Sequence, residues 1–272
     1  MPRIPIHDLD DPRLEPYRHL KATNLTRWSN QFVAEGLLVV ERLLSSPFEI
    51  LSVLASDRRE AQISPHVLPH IPLYVLPQRL AEDLVGFDFH TGVLAHGRRN
   101  IWPSLPDIIH SCGARLTLAV CPNVNSPDNI GSVIRSSAAL GIDALLLGRG
   151  CADPFSRRVS RASIGACYCL PIIDTSDMPR ELRRLRDEFR VELVATVLDR
   201  DAEPLLSAGR GERMAVLFGN EQHGLDRECL ELCDRRVTIP MHAGTDSLNV
   251  SVAAGIVLHH FTRVAAIDRP DG

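Results

Sequence analysis

From residue 116 onward, short apolar runs alternate with helical patterns, and this alternation restricts the fold more than any other feature. LTLAVC (116–121), DALLLG (143–148), CYCLPII (167–173), VELVATVL (191–198), RMAVLFG (213–219) and VTIP (237–240) read as strands. Between and after them the spacing predicts helices over 129–140, 154–164, 178–189, 225–232 and 247–266. Gly141 ends the first of these, as a glycine just past a helix should. The runs lack two-residue alternation, so both faces of each strand are expected to be buried. Strands alternating with helices imply an α/β fold with a parallel sheet covered on both faces. Ordinary topology rules predict an unknotted, doubly wound sheet.

The first hundred residues are less regular. SNQFVAEGLLVVERLLS (29–45) keeps apolar residues near helical spacing and predicts a helix. Strands are expected over 48–56, 72–76 and 91–97, with a helix over 77–85. This is a small α/β unit ending near residue 100. The stretch 100–107 holds Pro103 and Pro106 and reads as a linker. The expected domains are therefore 1–105 and 106–272. A chain of 272 residues, 44% of them hydrophobic, supports two cores.

A net charge of −4 argues against a globally basic nucleic-acid binder. Local clusters stand out all the same: Lys21, Arg27, Arg98 and Arg99 in the first part, and Arg157, Arg158 and Arg161 in the second. Arg180, Arg183, Arg184 and Arg186 alternate with Glu181, Asp187 and Glu188 and read as a solvated helix face. No apolar run approaches the roughly 20 residues of a membrane span. The polar, proline-rich N-terminus lacks the apolar centre of a secretory signal. Seven cysteines occur, none before Cys112 and none in a Cys-x-x-Cys pair. Buried thiols in a reducing cytoplasm are expected, without a metal site.

Three segments carry the chemistry. They are Asn129-Ile-Gly-Ser-Val-Ile-Arg135, Phe218-Gly-Asn-Glu-Gln-His-Gly-Leu225 and Ser247-Leu-Asn-Val-Ser251. Each is rich in Gly, Asn or Ser, and each follows an apolar, strand-like run. Asn129 and Ser247 are expected helix caps, since their side chains accept from free helix N–H groups. Arg135, amid small and apolar residues, either pairs with an acid across the core or serves a ligand. Gly219 is either an ordinary strand-to-loop turn or a point of close approach that a Cβ would block. Glu221 either interacts with the following helix start or meets a ligand. His223 reads as a surface loop residue. Asn249 and Ser251, polar at the lip of an apolar helix, suit a polar ligand. A nucleotide-binding dehydrogenase would also alternate strands with helices, but it needs a Gly-x-Gly-x-x-Gly turn, and Gly148-Arg-Gly150 lacks the third glycine.

Together the three segments resemble the motifs of the SpoU/TrmH branch of the SPOUT RNA methyltransferases, over roughly residues 115–266. The resemblance implies a C-terminal domain with a deep trefoil knot that binds S-adenosylmethionine (AdoMet) and methylates ribose 2′-hydroxyls in RNA. It implies catalytic roles for Arg135, Asn129, Glu221, Ser247 and Asn249. It places AdoMet, largely through main chain, at Gly219, Ile239, Leu248 and Thr196, and it implies a homodimer. The segment Phe32-Val-Ala-Glu-Gly36 and His90-Thr-Gly-Val-Leu-Ala95 resemble the ribosomal-protein-like, RNA-holding domain of many such enzymes. That fusion favours ribosomal RNA over transfer RNA. The alternatives are a transfer-RNA 2′-O-methyltransferase, or a non-catalytic RNA-binding member of the same fold.

Overall fold

The computed structural model describes residues 3–18, 20, 30–99, 102–220, 222–242 and 247–265. In chain order the elements begin with β1 (Arg3–Pro5), β2 (Gln31–Glu35), α1 (Leu37–Leu44), β3 (Ile50–Ser56), α2 (Glu60–Ile63), β4 (Leu73–Leu76), α3 (Gln78–Val85) and β5 (Val93–Arg98). Next come α4 (Leu105–Ser111), β6 (Leu116–Cys121), α5 (Pro127–Leu140), β7 (Ala144–Gly148), α6 (Arg157–Ala162), β8 (Ile172–Thr175) and α7 (Met178–Asp187). The last are β9 (Glu192–Thr196), β10 (Glu203–Pro204), β11 (Arg213–Leu217), α8 (Arg227–Leu232), β12 (Arg235–Thr238) and α9 (Val250–His259). The chain forms two compact units, residues 1–101 with 153–169 and residues 102–152 with 170–272.

The first unit is built on a mixed sheet of order β1-β4-β3-β5-β2. β1, β4 and β3 run parallel, and β5 runs antiparallel to β3 and β2. The helix expected over 29–45 is instead a strand and a shorter helix. Gly36 sits between them at φ 104°, which no helix accommodates. Phe32 and Ala34 are fully buried in β2, while Val40 and Leu43 bury the inner face of α1.

The segment 153–169 belongs to this unit, although it interrupts the chain between two strands of the other sheet. Phe32 stacks on Tyr168 at 5.3 Å and on Phe155 at 5.6 Å, and Phe48 meets Phe32 edge-on at 5.7 Å. The buried carboxylate of Glu35 accepts from Arg157 at 2.8 Å and from Arg161 at 2.9 Å. The sequence division at 105/106 assigns this segment to the second unit. Its rings and arginines find their partners in the first, and nothing local in 153–169 announces that.

The second unit holds a seven-stranded sheet of order β10-β12-β9-β11-β6-β7-β8, with every pairing parallel. All residues of β6 and β7 are buried, as their uninterrupted apolar runs require. α4 occupies part of the stretch expected to be a linker. Ser104 caps it in a box with Asp107, and Pro106 falls in the first turn, where a missing N–H costs nothing. The strand expected over 167–173 is a single 3-10 turn over Ala166–Tyr168 followed by β8. All seven cysteines are free thiols. Among the described residues there is no metal-ligating cluster, and no helix is long and apolar enough to cross a membrane.

Candidate functional site

Because β9, β11 and β12 are adjacent and parallel, their carboxyl ends lie along one edge, where ligands of open α/β sheets bind. Thr196 ends β9, Gly219 follows β11, and Ile239 follows β12. With Leu248, at the entrance to α9, these four residues line a single cavity of about 400 Å³. Ser247 lines it as well. Among the described lining residues there is no Asp, Glu, Lys or Arg. The walls are apolar side chains, backbone and a few amides. A ligand here is met by main chain and by surfaces such as Leu198, Leu225 and Ile239. That is the usual make-up of a small-molecule site of this size.

The side chains at the strand ends are partly committed elsewhere. Thr196 Oγ1 donates to the Leu217 carbonyl at 2.7 Å, tying β9 to β11. The close approach at Gly219 is made by the protein itself. A Cβ there would fall 2.4 Å from Gly224 C and 2.6 Å from Leu225 N. The loop doubles back so that Asn220 N–H donates to Gly224 O at 2.8 Å and Gly224 N–H to Asn220 O at 2.9 Å. The Asn220 side chain organises the turn. Its Oδ1 accepts from Gln222 N at 2.8 Å, and its Nδ2 donates to the Asn123 carbonyl at 3.0 Å. The second segment is thus tied to the loop that opens α5. Sequence reasoning passed over Asn220, although Gly-Asn-x-x-x-Gly is a recognisable turn signal. It also passed over the cavity-lining Leu198 and Met241, which carry no signal beyond being apolar.

The caps differ from expectation. α5 is capped by Ser126, whose Oγ accepts from Asn129 N at 3.4 Å. Pro127 at the first helical position fixes this start. Asn129 is therefore inside the helix, and its Oδ1 accepts from Asn249 Nδ2 at 2.9 Å. α9 is capped by Asn249, not Ser247: Asn249 Oδ1 accepts from Ser251 N at 2.8 Å and from Ser251 Oγ at 2.7 Å. The first and third segments are joined through this amide pair.

Arg135 is exposed two turns into α5 and is not among the residues lining the cavity. It makes no ion pair or hydrogen bond among the described residues, so a core ion pair does not explain it. The helix that carries it packs along α9, where a Cβ on Gly255 would lie 3.9 Å from Ser136 Oγ. His223 lines the cavity and is exposed. Glu221 lies outside the described residues.

All three segments fall within residues 117–259, which match the sequence model of the SpoU rRNA methylase family. The chain belongs to the SpoU rRNA methylase family. An uncharacterized tRNA/rRNA methyltransferase of Mycobacterium bovis is 38% identical, over 94% of this chain and 90% of its own length. A 23S rRNA (guanosine-2′-O-)-methyltransferase of Acinetobacter baylyi is 30% identical, over 84% of this chain and 95% of its own. The fold of this SpoU chain is shared with the AdoMet-bound rRNA methyltransferase of Sinorhizobium meliloti. That structure has a TM-score of 0.80 at 23% identity, covering 96% of this chain and 98% of the other.

Proposed function

We propose that this chain transfers the methyl group of AdoMet to a ribose 2′-hydroxyl in RNA, with ribosomal RNA as the favoured substrate. One observation carries the reading. The four residues that the family resemblance assigns to AdoMet come from three strand ends and a helix entrance, and they line one cavity. The Acinetobacter relative, a guanosine-2′-O-methyltransferase of 23S rRNA by name, supports ribosomal RNA. The cavity suits the cofactor chemically, with apolar surface for an adenine ring and strand-end backbone groups for its polar edges.

The sulfonium of AdoMet supplies a methyl carbon that is already electrophilic. The protein's task is to place the hydroxyl oxygen in line and to hold charge as its proton leaves. Asn249 and Asn129, locked together, fix the floor on which the ribose rests, and Ser247 stands beside them at the cavity wall. Arg135 brings a planar fork of N–H donors and no acceptor. Its role is to clamp a phosphate or to stabilise the developing alkoxide. Glu221 positions substrate or cofactor.

The working form is a homodimer in the cytoplasm, and the methyltransferase unit carries the deep knot that family membership implies. Val252 and Ile256, one turn apart on α9, are 50% and 42% exposed, and α5 exposes Arg135 and Ala139 at the same spacing. A second copy covering this face encloses Arg135. The first unit holds RNA.

The test is single-turnover methyl transfer to unmodified ribosomal RNA. Arg135→Ala should lose about a hundredfold or more in rate. Arg135→Lys, which keeps the charge but not the planar fork, should retain part of it. AdoMet affinity should hold in both. Near-normal turnover in a folded Arg135→Ala protein would remove Arg135 from the chemistry.

A further inference from the structure

Most arginines of the first unit are already neutralised. Arg3, Arg13, Arg18, Arg98 and Arg99 each face one carboxylate, and Arg157 and Arg161 share Glu35. The cations that the sequence suggests for RNA fare accordingly. Arg98 is held by Glu49 and Arg99 by Asp153, while Lys21 and Arg27 lie outside the described residues. Arg42, held by the Ile164 carbonyl, makes no ion pair among the described residues, and three others stand apart by lying at one edge. Arg58 and Arg79 are exposed and make no ion pair or hydrogen bond among the described residues. Arg59 makes one hydrogen bond, to the neutral Gln62, at 2.8 Å.

These three come together at one edge of the sheet. β3 and β4 are parallel neighbours, so the residues after each emerge side by side. Asp57 N–H donates to the Leu76 carbonyl at 2.8 Å, and Gln78 N–H donates to Asp57 Oδ1 at 3.1 Å. The backbone that carries Arg58 and Arg59 therefore leaves the sheet beside the start of α3, which carries Arg79. β5 runs antiparallel to β3 and starts at the same edge, where Ser56 N–H donates to the Gly92 carbonyl at 2.8 Å. A Cβ on Gly92 would fall 2.4 Å from Arg59 Cγ, so this glycine, at φ +67°, leaves room for the arginine stem. Exposed His90 lies two residues earlier in the same loop. Of the nearby acids, Asp57 spends one oxygen on the α3 backbone, Glu60 is paired with Arg3, and Glu82 accepts from Gln78, while Asp83 and Asp88 make no ion pair with these arginines among the described residues.

We infer that this edge, formed by Arg58, Arg59 and Arg79 with His90 beside them, is where the first unit grips the phosphodiester backbone of the RNA substrate. The inference rests on the proposed RNA methyltransferase function and names the surface that serves it. Guanidinium forks match phosphate oxygens in geometry as well as charge. Cations without carboxylate partners are the ones free to displace counterions from a polyanion.

The experiment measures binding of an in-vitro transcript of unmodified large-subunit ribosomal RNA across a range of salt concentrations. The proteins are wild type, the triple variant Arg58→Ala/Arg59→Ala/Arg79→Ala, the triple Lys equivalent, and Arg98→Ala, at the far end of β5 and paired with Glu49, as a paired-arginine control. The triple Ala variant should bind about tenfold or more weakly, and its log–log salt slope should be shallower by about two, since each phosphate contact contributes roughly 0.7–0.9. Triple Lys should keep most of the slope, and Arg98→Ala should keep all of it. Unchanged AdoMet affinity reports that the second unit is intact. The double variant Arg58→Ala/Arg79→Ala, which spares the packed stem of Arg59, guards against a folding defect. A folded triple Ala protein with wild-type RNA affinity and slope would overturn the assignment of this edge. A wild-type protein that neither binds nor methylates the RNA would overturn the functional reading itself.

Discussion

Asn249 does two things with one amide. Its oxygen caps α9 through Ser251 N, and its nitrogen reaches Asn129 across the helix pair. The two can be separated by substitution. Serine is as good a cap as asparagine but is too short to reach Asn129. Asn249→Ser should therefore keep its thermal stability while losing most single-turnover methyl transfer. Asn249→Ala should lose the transfer and also about 1 kcal/mol of stability. A Ser variant with full turnover would mean the amide pair is only structural. The residue types were legible in the sequence, but their jobs were exchanged. Ser126 and Asn249 cap the helices that Asn129 and Ser247 were expected to cap. Several polar residues sit within one turn of each helix start, and local pattern does not say which one the tertiary structure recruits. The Asn129 side chain meets a partner 120 residues away, beyond the reach of any window.

At the scale of elements, the loop from Gly219 to Leu225 shapes the cavity wall and leaves no room for a side chain at its first position. Gly219→Ala should displace residues 224–225, since a Cβ would meet backbone and not a yielding side-chain end. Calorimetry should show AdoMet affinity reduced about tenfold or more, equivalent to roughly 1.4 kcal/mol. Wild-type affinity in this variant would mean the loop is not part of the binding wall. Strands β6 and β7 were plain in the sequence because both faces are buried and the runs are uniformly apolar. The stretch 29–45 misled because Val33, Leu37, Val40 and Leu44 satisfy a helical period even though the first of them lies in a strand. The deciding fact is the backbone of Gly36, which periodicity does not register. The prolines near α4 were read as breakers, although Pro106 lies where a helix tolerates it.

Across the whole molecule, the least legible feature was the return of residues 153–169 to the first unit. Phe155 and Tyr168 are 4% and 0% exposed there, and their partners include Phe32 and Phe48. Burial of each ring contributes about 1.5–3 kcal/mol. A chain starting at residue 102 should still bind AdoMet, because every described residue lining the cavity belongs to the second unit. It should also bind apolar dyes and aggregate, and Phe155→Ser with Tyr168→Ser should relieve both. A monodisperse, dye-negative truncation without those changes would contradict the assignment of the segment. Methyl transfer to a ribose 2′-hydroxyl leaves a chemical mark that alkali reveals. The most direct test is to incubate the protein with methyl-labelled AdoMet and unmodified ribosomal RNA, then digest the RNA in alkali. Alkaline cleavage needs a free 2′-hydroxyl, so a 2′-O-methylated nucleotide keeps its 3′ linkage. Label should appear in one alkali-stable dinucleotide. Label released in mononucleotides, as from a methylated base, would contradict it.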